Sequence, residues 1–151
     1  MVSLTAPTGP QERPTAAARA LGWAGLIPFV GGAAAVGLAT DDAMRAQAAF
    51  ALAAYAAVIE SFLGGIHWGL AFVRLEPPAA MFAWGVLPSL VAWAALLLPA
   101  RSALMLLAAM LVACYVVDQR VYPRLGIAHW LPLRRTLSAV AALACATGAV
   151  L

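Results

Sequence analysis

Five long apolar runs, separated by short polar or proline-bearing connections, organise the chain. They lie at about residues 21–39, 46–73, 80–98, 102–121 and 133–151. The connections are Thr40-Asp41-Asp42, Glu76-Pro77-Pro78, Pro99-Ala100-Arg101 and a longer segment around Asp118–Pro132. A helix needs about 20 apolar residues to cross a bilayer, and each run approaches or exceeds that length. No run alternates polar and apolar positions with a period of two, as the strands of a membrane barrel would. Backbone inside lipid must satisfy its own hydrogen bonds, which a helix does within one segment. The pattern predicts an all-α, polytopic membrane helical bundle of about five transmembrane helices over residues 20–151. Residues 1–19 hold three prolines and no long apolar segment. They read as a short disordered cytoplasmic tail, not a cleavable signal peptide.

Composition supports the membrane reading. The 151 residues are 65% hydrophobic and 10% charged, with a mean hydropathy of +0.93. A soluble domain is about 45–50% apolar and roughly 25% charged. The basic residues are all arginine, and their distribution sets an orientation. With five spans, one side of the membrane receives Arg13, Arg19, Arg74, Arg120, Arg124, Arg134 and Arg135, and the other receives Arg45 and Arg101. Basic residues concentrate in cytoplasmic loops. The expected topology therefore has a cytoplasmic N-terminus and a periplasmic C-terminus in a bacterial inner membrane. The arginines form no dense run or aromatic-interleaved patch, so nucleic acid is not an expected partner. The lipid bilayer is the expected one, with another membrane protein as a further candidate. Trp23, Trp68, Trp84, Trp93, Trp130 and Tyr122 fall mostly near span ends, where an aromatic belt is expected.

The second run carries the most chemistry. Gly65 and Gly69 form a GxxxG pair that Ser61 extends by one turn. Such a strip of small residues permits close helix approach. The expectation is packing inside the bundle, with homodimerisation as the alternative; Gly64 joins this candidate packing set. Glu60 and His67 are seven residues apart, within about 20° of one helical face and roughly 10 Å apart along the axis. Gly64 lies between them on that face. A charged carboxylate at mid-membrane costs about 2.5–3.5 kcal/mol on insertion scales. Glu60 must then be protonated, paired or turned to a wet cavity. Counted from the outer ends of their helices, His67 and Asp118 both lie roughly 25 Å deep, at the end where the fifth run opens with Arg134 and Arg135. A polar cluster of His67, Asp118 and Arg134 or Arg135 is therefore predicted, either as a fastening between helix ends or as part of a polar face continued by Glu60.

Catalytic and metal signatures are lacking in the sequence. Neither HExxH nor CxxC occurs, and Cys114 and Cys145 sit in apolar runs as small hydrophobes. There is no GxSxG elbow. His129 falls in a loop, which makes a haem pair with His67 unexpected. No cofactor and no enzymatic activity are expected.

Two stretches resemble a known family. Phe62–Gly69 (FLGGIHWG), following Tyr55, resembles the signature of the uncharacterised family that includes transmembrane protein 69. Trp130–Ser138 (WLPLRRTLS), with Asp118 upstream, resembles that family's segment at the last helix, with Ser138 where a threonine is expected. The resemblance covers roughly residues 20–150. It implies a multi-spanning membrane protein filed under a domain-of-unknown-function heading, and no particular activity. The functional expectation is a structural, accessory or assembly factor acting through helix contacts. The alternative is a small transporter or channel with a polar path through Glu60 and His67.

Overall fold

The computed structural model describes residues 13–151. The predicted tail lies mostly outside this range, and its last residues are not a tail. Helix α1 (Ala16–Ala24) begins at Ala16, with Thr15 as its cap: the Thr15 Oγ1 accepts from the Ala18 N–H at 3.2 Å. Three successive alanines behind a threonine cap favour helix strongly, so the first span starts five residues before the apolar run does.

After α1 the described chain forms α2 (Ile27–Leu38), α3 (Asp42–Phe72), α4 (Ala79–Leu96), α5 (Ala100–Val121) and α6 (Leu131–Val150). There is no strand among the described residues. Four segments are long and apolar enough to cross a membrane: α1 with α2, α3, α4 and α5. The last helix is 20 residues long, opens with Arg134 and Arg135, and packs in the same bundle. At 31 residues, α3 is about 46 Å long, well beyond the ~30 Å hydrocarbon thickness.

Local chemistry explains the boundaries. Asp41 caps α3, its Oδ1 accepting from the Met44 N–H at 2.8 Å, and Asp42 adds negative charge to the first turn, where the helix dipole favours it. The first span breaks at Gly25 and Leu26, and Pro28 lies at the start of α2. Proline lacks the N–H that would bond the carbonyl one turn back. The Tyr55 hydroxyl of α3 donates to the Gly25 carbonyl at 2.9 Å and fastens the break to the bundle. The connection from α5 to α6 folds into two single-turn 3-10 helices, Pro123–Leu125 and Ala128–Trp130. Gly126 between them has φ +73°, a conformation other residues rarely adopt.

The core is built from small residues around a leucine spine. Leu104, Leu107, Leu111 and Cys114 run down one face of α5 and meet Leu52, Ala53 and Ala56 of α3 and Ala141 and Cys145 of α6. Alanine and glycine on facing helices let backbones approach, and dispersion replaces the hydrophobic drive that lipid does not provide. Large apolar side chains such as Val58, Phe62, Leu90 and Trp93 point outward.

A tight approach joins α3 to α4. A Cβ added at Gly64 would collide with the Gly85 carbonyl, and one added at Gly85 would collide with the Trp68 indole. The indole N–H of Trp68 donates to the Phe82 carbonyl of α4 at 3.0 Å. The expected packing strip is therefore displaced. Ser61, Gly65 and Gly69 are exposed, and no atom outside its own helix turn lies within 4 Å of a Cβ added at Gly65 or Gly69. The reason is rotational: Glu60, Gly64, His67 and Ala71 form the buried face of α3, and the strip lies about 100° away from it.

Candidate functional site

The polar cluster lies where α3, α5 and α6 share one end of the bundle. His67 is on the last turns of α3, Asp118 on the last turn of α5 and Arg134 on the first turn of α6. His67 Nε2–H donates to Asp118 Oδ1 at 3.0 Å. Arg134 Nε donates to Asp118 Oδ2 at 2.8 Å, and its Nη2 lies 2.7 Å from the same oxygen. All three side chains are buried; Asp118 is 2% exposed. One carboxylate thus accepts from two helices while belonging to a third. Such short, charge-assisted bonds are roughly twice as strong as neutral ones.

Arg135 is not part of the cluster. One residue further along α6 turns it outward, and it is exposed. Tyr122, expected in an interfacial belt, is instead buried beside the cluster, its ring centroid 6.4 Å from that of His67. Burial and, second, the nearby Asp118 carboxylate push its phenol up to about 12, so it stays neutral. Trp84 of α4 also stands beside the imidazole, with ring centroids 6.5 Å apart in an edge-on arrangement.

Glu60 stands apart. It is fully buried, and neither carboxyl oxygen has a hydrogen-bond partner among the described residues. It shares the inward face of α3 with His67 but not the bonded network. Among the described residues Glu60 is therefore unpaired.

Two features carry chemistry that the apolar pattern did not single out. An apolar cleft of about 580 Å³ opens between α1–α2, α3 and α6. Ser138, one turn beyond Arg134, lines it with a hydroxyl that has no partner among the described residues. The signal for Ser138 was a lone serine within an apolar helix, indistinguishable in sequence from a serine bonded to its own backbone. Cys114 and Cys145 are free, buried thiols. No group of three or more potential metal ligands occurs among the described residues.

Comparison with known proteins agrees with the fold and stops short of an activity. A family model described as "Protein of unknown function (DUF3429)" matches residues 14–150. Transmembrane protein 69 of Xenopus tropicalis is 43% identical over 82 residues, which is 51% of this chain and 31% of the relative. The chain thus spans about a third of the length of that curated relative. No solved structure matches.

Proposed function

Because the chain belongs to the DUF3429 family of proteins of unknown function and is itself a multi-pass membrane protein, we propose that it is a non-enzymatic accessory or assembly factor working through helix contacts. Its place is the bacterial inner membrane, with the N-terminus in the cytoplasm. One observation carries this reading: the Ser61–Gly65–Gly69 stripe of α3 faces outward and is unused within the bundle. The bundle packs on other residues, Gly64 and Gly85, and ties itself together through Asp118. A small-residue stripe on a lipid-facing helix is suited to close docking of a partner helix. The arginine partition supports the orientation, and a C-terminal alkaline phosphatase fusion should be active while a C-terminal green fluorescent fusion is dark.

Cross-linking in native membranes tests the contact. The wild-type chain should purify with a stoichiometric membrane partner. Gly65→Leu, which fills the stripe without touching the core, should lose it. A wild-type chain that purifies alone, or an identical set of neighbours in Gly65→Leu, would overturn the proposal.

A second reading, a small proton-coupled transporter, is favoured by the unpartnered Glu60 carboxyl. An intramembrane acid without a partner is a candidate proton carrier. In proteoliposomes loaded with a pH-sensitive dye, this reading expects proton flux that Glu60→Gln abolishes. Equal flux in the variant and in empty liposomes would exclude it.

A further inference from the structure

We propose that the cleft between α1–α2, α3 and α6 binds a single-chain lipid with an uncharged, hydrogen-bonding head group, of the acylglycerol type. The site is separate from the outward stripe of α3 and does not depend on it.

Size and lining set the chemistry of the body. The cleft holds about 580 Å³, inside the roughly 300–1,000 Å³ of small-molecule sites. Its walls are aliphatic and aromatic, with Leu21 and Phe29 from the first span, Phe62 and Leu63 from α3, and Leu137 from α6. Only an extended apolar group gains from filling such a space. The α1–α2 break at Gly25 forms part of the wall, so the opening follows from the same proline and glycine that interrupt the first span.

The polar end sets the chemistry of the head. Tyr122, Trp130, Arg134 and Ser138 are the residues there that carry a polar side-chain group, the Trp130 indole N–H being a donor only. Ser138 is 4% exposed, and its Oγ is without a partner among the described residues. A helical serine or threonine usually returns its hydroxyl to the carbonyl four residues back. Ser61 does so to Ala57 at 3.0 Å and Thr136 to Pro132 at 3.2 Å. Ser138 does not, and its hydroxyl is left for a ligand that enters the cleft. Charge then discriminates among heads. Arg134 is already balanced by Asp118 through two contacts of 2.8 Å or less, so the end of the cleft carries no uncompensated charge. An anionic head beside Arg134 would be repelled by the Asp118 carboxylate bonded behind it, and a cationic head by the guanidinium itself. An ester or glycerol oxygen can meet both Ser138 and Arg134 without either conflict.

The test uses the full chain in detergent and a monoacylglycerol bearing a diazirine on its acyl chain. Photolabelling should fall on peptides from residues 18–29 and 133–141 and be competed by unlabelled monoolein, with oleate at neutral pH competing at least ten-fold less well. Ser138→Ala should weaken binding about five-fold, the range expected for one lost hydrogen bond. Ala18→Trp, at the half-buried mouth on α1, should block labelling. If Ala18→Trp does not fold, Ser138→Ala carries the test alone, since it removes one atom that makes no protein contact by hydrogen bond. Labelling spread evenly onto the exposed face of α4 at Leu87, Leu90 and Trp93 would mean bulk lipid only. That result, unchanged binding in Ser138→Ala, or equal competition by oleate would overturn the proposal.

Discussion

Removal of the Asp118 carboxylate is the sharpest perturbation of the bundle. It accepts from His67 of α3 and from Arg134 of α6 while standing on α5, so one substitution releases three helices at once. Asp118→Ala leaves Arg134, 9% exposed, as a buried charge without its counter-charge, and loss of one partner from a buried pair costs about 3–5 kcal/mol. It also strips the acceptor from His67, a further loss of about 1 kcal/mol or more. Interhelical hydrogen bonds in membranes average nearer 0.6 kcal/mol, so the charge, not the bond count, should dominate. Asp118→Asn, which keeps one acceptor and loses the charge, should fall between Asp118→Ala and wild type. The double variant Asp118→Leu with Arg134→Met removes both charges and should recover much of the loss, because well-packed apolar replacements of an ion pair are often near neutral. Unfolding of the purified protein by SDS titration, followed by circular dichroism, measures all four. The reasoning fails if Asp118→Ala is no more destabilising than a lipid-facing change such as Leu90→Ala. It also fails if the double variant is as unstable as Asp118→Ala, since the penalty would then not come from an orphaned charge.

Further outcomes can be read on the same titration. Gly85→Ala places a Cβ against the Trp68 indole and should destabilise by about 1–3 kcal/mol, as overpacking does, whereas Gly65→Ala, with open space around it, should stay within about 0.5 kcal/mol of wild type. Tyr55→Phe removes the bond to the Gly25 carbonyl and should cost about 1 kcal/mol, with faster hydrogen exchange at the α1–α2 break. Glu60→Gln should leave stability within about 1 kcal/mol, because no partner of the carboxyl is lost; a large loss would reveal an interaction that the geometry does not contain.

The architecture was legible because lipid imposes few options. Length and hydropathy delimited the helices to within a few residues, and errors arose where propensity acted without hydropathy. Thr15 and the alanines after it carry little apolar signal yet start α1, and Asp41 and Asp42, polar in pattern, cap α3 and carry it four residues beyond the apolar run. Depth was legible too. A rise of 1.5 Å per residue, with consecutive helices running in opposite directions, puts His67, Asp118 and the start of α6 at one level. What depth does not give is rotation. Arg134 and Arg135 are equivalent by depth and differ by 100°, and only the packing of α6 against α5 separates the buried cation from the exposed one.

The same rotational argument decides between the glycines of α3, and the sequence held more of the answer than a GxxxG pattern extracts. Glu60 and His67 at seven-residue spacing mark one face, and a face carrying an acid in mid-membrane must turn inward. Gly64 is on that face and Gly65 is not. Once the acid fixes the rotation, Gly64 must be the close contact and the Ser61–Gly65–Gly69 stripe must face lipid, as in the structure. A costly polar residue is therefore a better guide to helix rotation than a motif of small residues, which reports that close approach is possible but not on which side. Ser138 extends the point. Arg134 is turned inward by Asp118, and four residues on, along the same face of α6, the serine is carried into the bundle with it. Its burial follows from the ion pair, and its lack of a partner follows from the cleft that the broken first span leaves beside it.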